Sequence, residues 1–397
     1  MESSIYRSYK VKLKPNKKQA TRFFQMAGIA RYSYNWALAR QKENKEQGKK
    51  MLPDSKLRKE FNVLKKAREL KWITEVSADV SKIAIMDSCN SYVRFIKGHA
   101  RYPKFKSKKR SKPSFSQDSV KMKVTKTHIR LEKIAKNRKT NKEKLNWIKL
   151  GEANYIPFGE NIVYSNPRIT FDGIDWWLSI GVQSELNYYH KYTNGVGVDL
   201  GVKDQAITSD NEVWGNINKT EHMRKLEKKR KRLQRRVSRK YRMNKDGDKF
   251  VKTKNIEKLE KQIRKLYRKQ SNTRKTYLHQ ITTKITDRKP KFVVLEDLDV
   301  RRMMKNKGLA KKIAEQNFYE FRRIMEYKCK WNEIEFILAD RYFPSSKSCS
   351  QCGFTKKDLK LSDRVYNCNN CGHNVDRDLN AALNLKAYGE RYMESIA

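Results

Sequence analysis

Four of the six cysteines of this 397-residue chain stand in two close pairs, Cys349-x2-Cys352 and Cys368-x2-Cys371, and that spacing limits the fold more than any other feature. Four thiolates so placed converge on one zinc ion. Soft sulfur ligands complete its tetrahedral shell, so the ion is expected to be structural, with no position left open for a substrate. Two disulfides would be the alternative in an oxidising compartment, but the opening MESSIYRSYKVKLKP has no apolar run of the kind a secretory signal carries. Gly353 and Gly372, each just after the second cysteine of a pair, suit the tight turns of ligand loops. His373 is adjacent but surplus to a complete set of four, and Cys89 and Cys329 stand alone.

Charge narrows the class further. There are 92 Lys and Arg against 43 Asp and Glu, a formal net charge of +49. A surface so positive repels itself until a polyanion neutralises it, and phosphate backbones are the usual polyanion. Twenty Tyr, fifteen Phe and seven Trp lie among the cations, a mixture that suits unstacked or single-stranded bases. No apolar run approaches the roughly 20 residues of a membrane span, so no membrane partner is expected and the chain is expected in the cytosol.

Along the chain, residues 5–14 alternate like a strand that Pro15-Asn16 breaks, and from Lys18 the period becomes helical to about residue 46. Further helical stretches are expected at about 54–69 and from Ser77 to Lys97, with Ile83, Met86 and Phe95 as core candidates, making 16–112 a helical module ending in the aperiodic basic run RYPKFKSKKRSK. Short strands are expected at Val120–Val124, His128–Leu131, Trp147–Leu150, Arg168–Phe171 and Trp176–Val182. They suggest a barrel or small sandwich, with the N-terminal strand pairing into it and the helices as an insertion. From 191 a new pattern begins: a buried strand Gly195–Val202, a strand Gln205–Ser209, a charged helical hairpin over 221–285, a strand Phe292–Leu295, a helix Ala314–Lys330 and a strand Glu335–Ala339. That order is α/β and of RNase H-like type.

The carboxylates on the apolar strands need explaining. In GVGVDLGV, Val196, Val198, Leu200 and Val202 share one face and Asp199 lies on the other, with Gly197 and Gly201 two residues to either side. A carboxylate there is costly without a partner, and the flanking glycines are expected to clear space for a hydrated cation and a phosphate. Glu296 ends the run VVLED at the carboxyl edge of a neighbouring strand, with Asp297 and Asp299 as alternatives that spacing does not separate. In DRDLNAALNLKAYG a helix begins near Asp378, with Asp376 beside it; either could be a helix cap. Three carboxylates from two strands and a helix would hold a pair of Mg²⁺ ions, which keep open positions for substrate phosphates.

These segments together, GVDLGVKDQAITS, VVLEDLDV and SKSCSQCG…CNNCGHNVDRDLNAALNL, resemble the TnpB family, the transposon-encoded ancestors of type V CRISPR nucleases. YKVKLKPNKKQ, GIARYSYNWAL and RYPKFKSK extend the resemblance to nearly the whole chain. It implies an α+β multidomain protein: a β-barrel wedge domain (1–15 and 113–190) with the helical recognition module (16–112) inserted. A RuvC-like nuclease domain (191–397) follows, carrying the hairpin 221–285 and a zinc-binding element at 345–373. It implies an RNA-guided DNA endonuclease of the two-metal RuvC type that cuts double-stranded DNA matching a transposon-end-derived guide RNA beside a short target-adjacent motif. By resemblance, Asp199, Glu296 and Asp378 become the catalytic, Mg²⁺-binding carboxylates, with Asp376 in reserve, and Cys349, Cys352, Cys368 and Cys371 hold one structural Zn²⁺. Tyr34, Trp36, Arg101, Tyr102, Lys104, Phe105 and Lys106 become nucleic-acid contacts. The implied site of action is the prokaryotic cytosol and, when DNA-bound, the nucleoid, as monomer or dimer. A miniature type V CRISPR effector, a DNA transposase and a guided DNA-binding regulator without cleavage are the competing readings; the regulator should lack a metal carboxylate, and none is missing here.

Overall fold

Pro15 ends the first strand, β1 (Ser4–Lys14), and Asn16 starts the first helix, α1 (Lys17–Glu46). Asn16 accepts from the backbone N–H of Gln19 at 2.9 Å while the Gln19 side chain accepts from the Asn16 N–H at 2.9 Å, a reciprocal capping box. The Gln19 amide also donates to the carbonyls of Leu145 and Trp147, which pins the helix start to the sheet. The computed structural model describes residues 4–134, 145–185, 192–360 and 363–396 and divides into two units, 1–185 and 186–397.

In the first unit α2 (Asp54–Leu64) and α3 (Ala78–Ile96) follow α1. The strands are β2 (Ser114–Ser116), β3 (Lys123–Val124), β4 (His128–Arg130), β5 (Trp147–Leu150), β6 (Tyr164–Phe171) and β7 (Trp176–Glu185). They join β1 in an antiparallel sheet of order β2-β6-β7-β1-β5-β4-β3, so the helices enter between the first strand and the rest of its sheet. Among the described residues no ladder joins β2 to β3, and the sheet is not closed into a barrel by main-chain pairing. Phe23 of α1 lies against Phe115 and Trp176, with ring centroids 5.4 and 5.1 Å away, and this aromatic knot joins helix to sheet.

Three expectations shift here. The second helix stops at Leu64 and gives way to a 3-10 segment over Arg68–Glu75. The expected strand from Val120 begins only at Lys123, because Asp118 accepts from the Val120 N–H and turns residues 119–121 into a 3-10 turn. On α3 the buried face is Val80, Ala84, Ile85, Cys89 and Tyr92, whereas Met86 is exposed and Ile83 and Phe95 are half-buried. Ala84, Ser88 and Cys89 are small and buried, with Cys89 Sγ taking the Gln41 amide of α1 at 3.8 Å, and a sequence reading that favours large side chains misses that face.

The second unit is built on a five-stranded sheet of order β10-β9-β8-β13-β14. Its strands are β8 (Val196–Asp199), β9 (Asp204–Thr208), β10 (Val213–Gly215), β13 (Phe292–Glu296) and β14 (Glu335–Ala339). The first three pair antiparallel, while β13 runs parallel to both β8 and β14. Between β10 and β13 come α4 (Glu221–Met243), the short ribbon β11 (Lys245–Asp246) and β12 (Lys249–Phe250), and α5 (Lys254–Asp287). The helix expected over 314–330 is two helices, α7 (Ala310–Gln316) and α8 (Phe318–Trp331), after a short α6 (Val300–Met303). The break is Asn317, whose φ of 55° is left-handed, a conformation asparagine tolerates. The chain ends with β15 (Val365–Asn367), β16 (Asn374–Asp376) and α9 (Arg377–Ile396).

Strand alternation decides which face carries chemistry. Val196 and Val198 pair in register with Val293 and Leu295, and all four bury in one core with Ile281 and Phe321. Gly197, Asp199, Val294 and Glu296 therefore belong to the opposite face, where α9 packs through Leu385 onto Phe292 and Val294.

Candidate functional site

Asp199 is the last residue of β8 and Glu296 the last of β13. The parallel register pairs Leu295 with Val198, so one step further places Glu296 beside Asp199 on the α9 face. Asp378 comes to the same place from the first turn of α9. Burial, with Glu296 and Asp378 nearby, pushes the Asp199 carboxyl well above its ordinary range. Burial also raises Glu296, opposed by a hydrogen bond that the Ser345 hydroxyl donates to its Oε1. Arg377 supplies positive charge, donating to Asp378 Oδ1 from Nε at 3.2 Å and Nη2 at 3.0 Å.

The neighbouring acids are occupied elsewhere. Asp376 accepts from the N–H groups of Asp378 at 2.9 Å and Leu379 at 3.1 Å; it caps α9 and leaves Asp378 free of that duty. Asp299 caps α6 by accepting from the Arg302 N–H at 3.0 Å. Asp297 takes Arg341 and Arg322, the latter at 2.7 Å, and these guanidiniums hold it below the usual carboxylate range. Spacing left three acids open at one place and two at the other; of these, Asp299 and Asp376 accept from helix N–H groups and Asp297 pairs with two arginines, while Asp378 pairs with its neighbour Arg377.

The glycines differ from expectation. A Cβ on Gly197 would lie 2.1 Å from the Ala382 carbonyl oxygen and 2.5 Å from the Lys386 nitrogen, so the space belongs to the α9 backbone and not to a hydrated cation. Gly389 makes the converse allowance on the helix, where a Cβ would meet Phe292 and Val294. Gly201 faces the Asp204 carbonyl in the turn to β9. Gly197 and Gly389 serve the carboxylates indirectly: they let α9 lie close enough to the sheet to deliver Asp378.

The four cysteines form the second centre. Their sulfurs all lie within 4.8 Å of one another, with Cys349 Sγ 3.7 Å from Cys371 and Cys352 Sγ 3.5 Å from Cys368. Sulfurs about 2.3 Å from a tetrahedral zinc ion stand roughly 3.8 Å apart, so the donor set fits that ion. Each pair sits on the same turn. Gly353 and Gly372 have φ of 76° and 72°, and their N–H groups donate back to the carbonyls of Cys349 and Cys368. His373 stays outside the set, 3.5 Å from the Ser350 hydroxyl. Tyr366, fully buried, donates to the carbonyls of Lys347 and Phe354 and closes the element from within. Among the described residues this is the one group of three or more Cys, His, Asp or Glu drawn so tightly; the carboxylate oxygens stand further apart.

Sequence reasoning gave no role to Ser345, Arg377, Asn380 or Asn384. Asn380 and Asn384 are buried one helical turn apart on α9 and hydrogen-bonded to residues 345–350. The signal was present: two amides at i and i+4 amid Ala and Leu are a polar pair on a buried face.

Of the other expected contacts, Tyr34 is buried under the Lys106 ammonium, 3.6 Å from its ring centroid, and the Asn35 side chain holds the Lys106 backbone by two hydrogen bonds. Trp36 packs on Phe61 and Tyr102 on Phe95. Arg101, Lys104 and Phe105 are exposed.

The fold is shared with a solved protein class. A cryo-EM structure of a Cas12f1–sgRNA–target DNA complex superposes with a TM-score of 0.58 at 15% identity, over 93% of this chain and 82% of that one. The family model "Cas12f1-like, TNB domain" matches residues 318–385, "Probable transposase" of OrfB_IS605 type matches 179–307, and a "Helix-turn-helix domain" of the same OrfB group matches 1–50, of which the described residues here form a strand and one long helix. "Putative RNA-guided DNA endonuclease InsQ" of Escherichia coli (strain K12) is 28% identical over 96% of this chain and 92% of its own length. A "Putative RNA-guided DNA endonuclease" of Streptomyces pristinaespiralis is 28% identical over 98% and 90%. The resemblance to the TnpB family is thus met by family models over three parts of the chain and, along nearly its whole length, by relatives named putative RNA-guided DNA endonucleases.

Proposed function

We propose that this chain is an RNA-guided, Mg²⁺-dependent DNA endonuclease, cutting double-stranded DNA that matches a transposon-derived guide RNA beside a short target-adjacent motif. The observation that carries the reading is the convergence of Asp199, Glu296 and Asp378 on one face of the sheet, while Asp299 and Asp376 beside them cap helices and Asp297 pairs with Arg322 and Arg341. The first three strands run antiparallel and the next two parallel, the order expected of an RNase H-like, RuvC-type domain. Two Mg²⁺ ions held by these carboxylates would activate water and stabilise the leaving oxygen of a phosphodiester. The protein's part is positional: β8 and β13 present two carboxylates side by side, α9 brings the third, and Arg377 and Ser345 fix their orientation. Burial of Asp199 and Glu296 makes their charged forms costly until a cation offsets them, which is what a metal site requires.

The four cysteines would hold one structural Zn²⁺. The +49 charge supports a polyanionic cargo, with base pairing to the guide choosing the sequence. The β-sheet part of the first unit is assigned as wedge and its helices as recognition module, with Arg101, Lys104 and Phe105 as exposed phosphate and base contacts. In the described residues no helix is long and apolar enough to cross a membrane. The test is to co-express the protein with the RNA transcribed from its own flank, purify the complex and offer it matched DNA with a randomised border. Mg²⁺-dependent cuts beside a recurrent motif are expected; every target left intact would refute the reading.

A further inference from the structure

Glu296 is oriented by a residue that is itself held from elsewhere. Ser345, buried, donates its hydroxyl proton to Glu296 Oε1. Its carbonyl accepts from the Asn384 Nδ2 at 2.7 Å. The same Nδ2 donates to the Ser348 carbonyl at 2.7 Å, and so does the Asn380 Nδ2 at 2.7 Å. Asn380 Oδ1 then accepts from the Ser350 N–H at 2.9 Å. The two amides thus grip the loop 345–350 at three points from one helix. Cys349, a member of the four-cysteine set, lies inside that loop. Asn380 is fully buried and Asn384 nearly so, where an amide without partners would be costly, so these bonds are obligatory features of the fold.

We propose that Asn380 and Asn384 are positioning residues that lock the Ser345–Ser350 loop to α9, so that Ser345 aims Glu296 at Asp199 and the four-cysteine element is mechanically joined to the carboxylate centre. The inference rests on the metal-binding role given above to Glu296. The same helix supplies Asp378 from its first turn, so one rigid element sets two of the three carboxylates, one directly and one through the serine. A four-cysteine element that only stabilised its own loop would need no such connection. Here the loop between β14 and the first cysteine pair is the strut that carries the connection.

The test uses the RNA-loaded full-length protein and reads Mn²⁺ binding by calorimetry, with zinc content measured in parallel. Outer partners of metal ligands contribute about 10–100-fold in metal affinity. Ser345→Ala should weaken Mn²⁺ binding by about tenfold or more with zinc still at one per chain, and Ser345→Thr, which keeps the hydroxyl, should restore it. Asn384→Asp keeps the shape but removes the donor, and should weaken Mn²⁺ binding likewise. Chelation of the zinc should do so too, although among the described residues no cysteine is hydrogen-bonded to a carboxylate. Wild-type Mn²⁺ affinity in both Ser345→Ala and Asn384→Asp would overturn the proposal, as would zinc loss that leaves Mn²⁺ binding unchanged. Should Asn384→Asp not fold, the Ser345→Ala and Ser345→Thr pair decides alone. The readout is binding, so a complex that takes up Mn²⁺ yet never cuts DNA would count against the endonuclease reading and not against this one.

Discussion

The two candidate centres of the second unit are assembled by opposite means. The four sulfurs come from one short stretch of chain, brought together by two copies of the same glycine turn and a buried tyrosine. The three carboxylates come from distant segments, and meet only because β8 and β13 pair in register and α9 fits tightly against both. The cysteine centre therefore depends on local geometry and on its ion, whereas the carboxylate centre depends on the packing of the whole unit. A change at the cysteines should read out as lost metal and local structure and, through the Ser345–Ser350 loop, as weaker metal binding at the acids, whereas a change at the acids should read out as lost chemistry with the fold and the zinc kept.

The largest effect should come from the acids. Asp199→Ala is expected to lower cleavage by about a thousandfold or more, the several kcal/mol that bound metal contributes to a transition state, while RNA binding, DNA binding and zinc content persist. Single-turnover cleavage with parallel binding assays measures this, and loss of RNA binding would blur the contrast. Next is Cys368→Ser, which leaves three thiols. Metal analysis should show the zinc gone, and proteolysis should open the segment around β15 and β16, because small metal-stapled elements draw their folding energy from the ion. Gly197→Ala tests the packing that the acids need. Its methyl would press on the Ala382 carbonyl, a backbone atom that cannot swing aside, and about 1–3 kcal/mol of stability should be lost in chemical denaturation. The cysteine element should keep its zinc in that variant.

The smallest effect is a control away from both centres. His279 on α5 is half-buried near the Lys328 ammonium, and burial first, then that charge, lowers its pKa to about 4. The unfolded chain takes up a proton near the ordinary value of about 6.5, so the stability due to neutral His279 is present above that pH and is lost as pH falls from about 6.5 to 4. His279→Gln should flatten that part of the stability–pH curve without altering the metal content of either centre.

How much the sequence disclosed follows the same division. The gathering of the four cysteines was legible from spacing, because the sulfurs, their turns and the surplus histidine lie in one window. Asp199 was visible as an acid among valines, and strand parity gave its face. Glu296 and Asp378 could not be separated from Asp297, Asp299 and Asp376 by spacing, and the proposed choice among them leans on where each neighbour's hydrogen bonds go: Asp376 and Asp299 to helix N–H groups, Asp297 to two arginines. The role of Gly197 was misjudged for a related reason, because a glycine beside an acid looks alike whether ligand or helix fills the gap. The split at Asn317 and the small-residue face of α3 escaped because both depend on tertiary contacts that override helical periodicity.

The most direct measurement sets the six acids against one another. In RNA-loaded complexes, single-turnover cleavage rates would be compared for Asp199→Asn, Glu296→Gln and Asp378→Asn and for Asp297→Asn, Asp299→Asn and Asp376→Asn. The first three should each lose at least about a hundredfold with the melting temperature held, and the last three should stay within about threefold when corrected for folded fraction. A silent Glu296→Gln or Asp378→Asn beside an inactive neighbour would contradict the assignment.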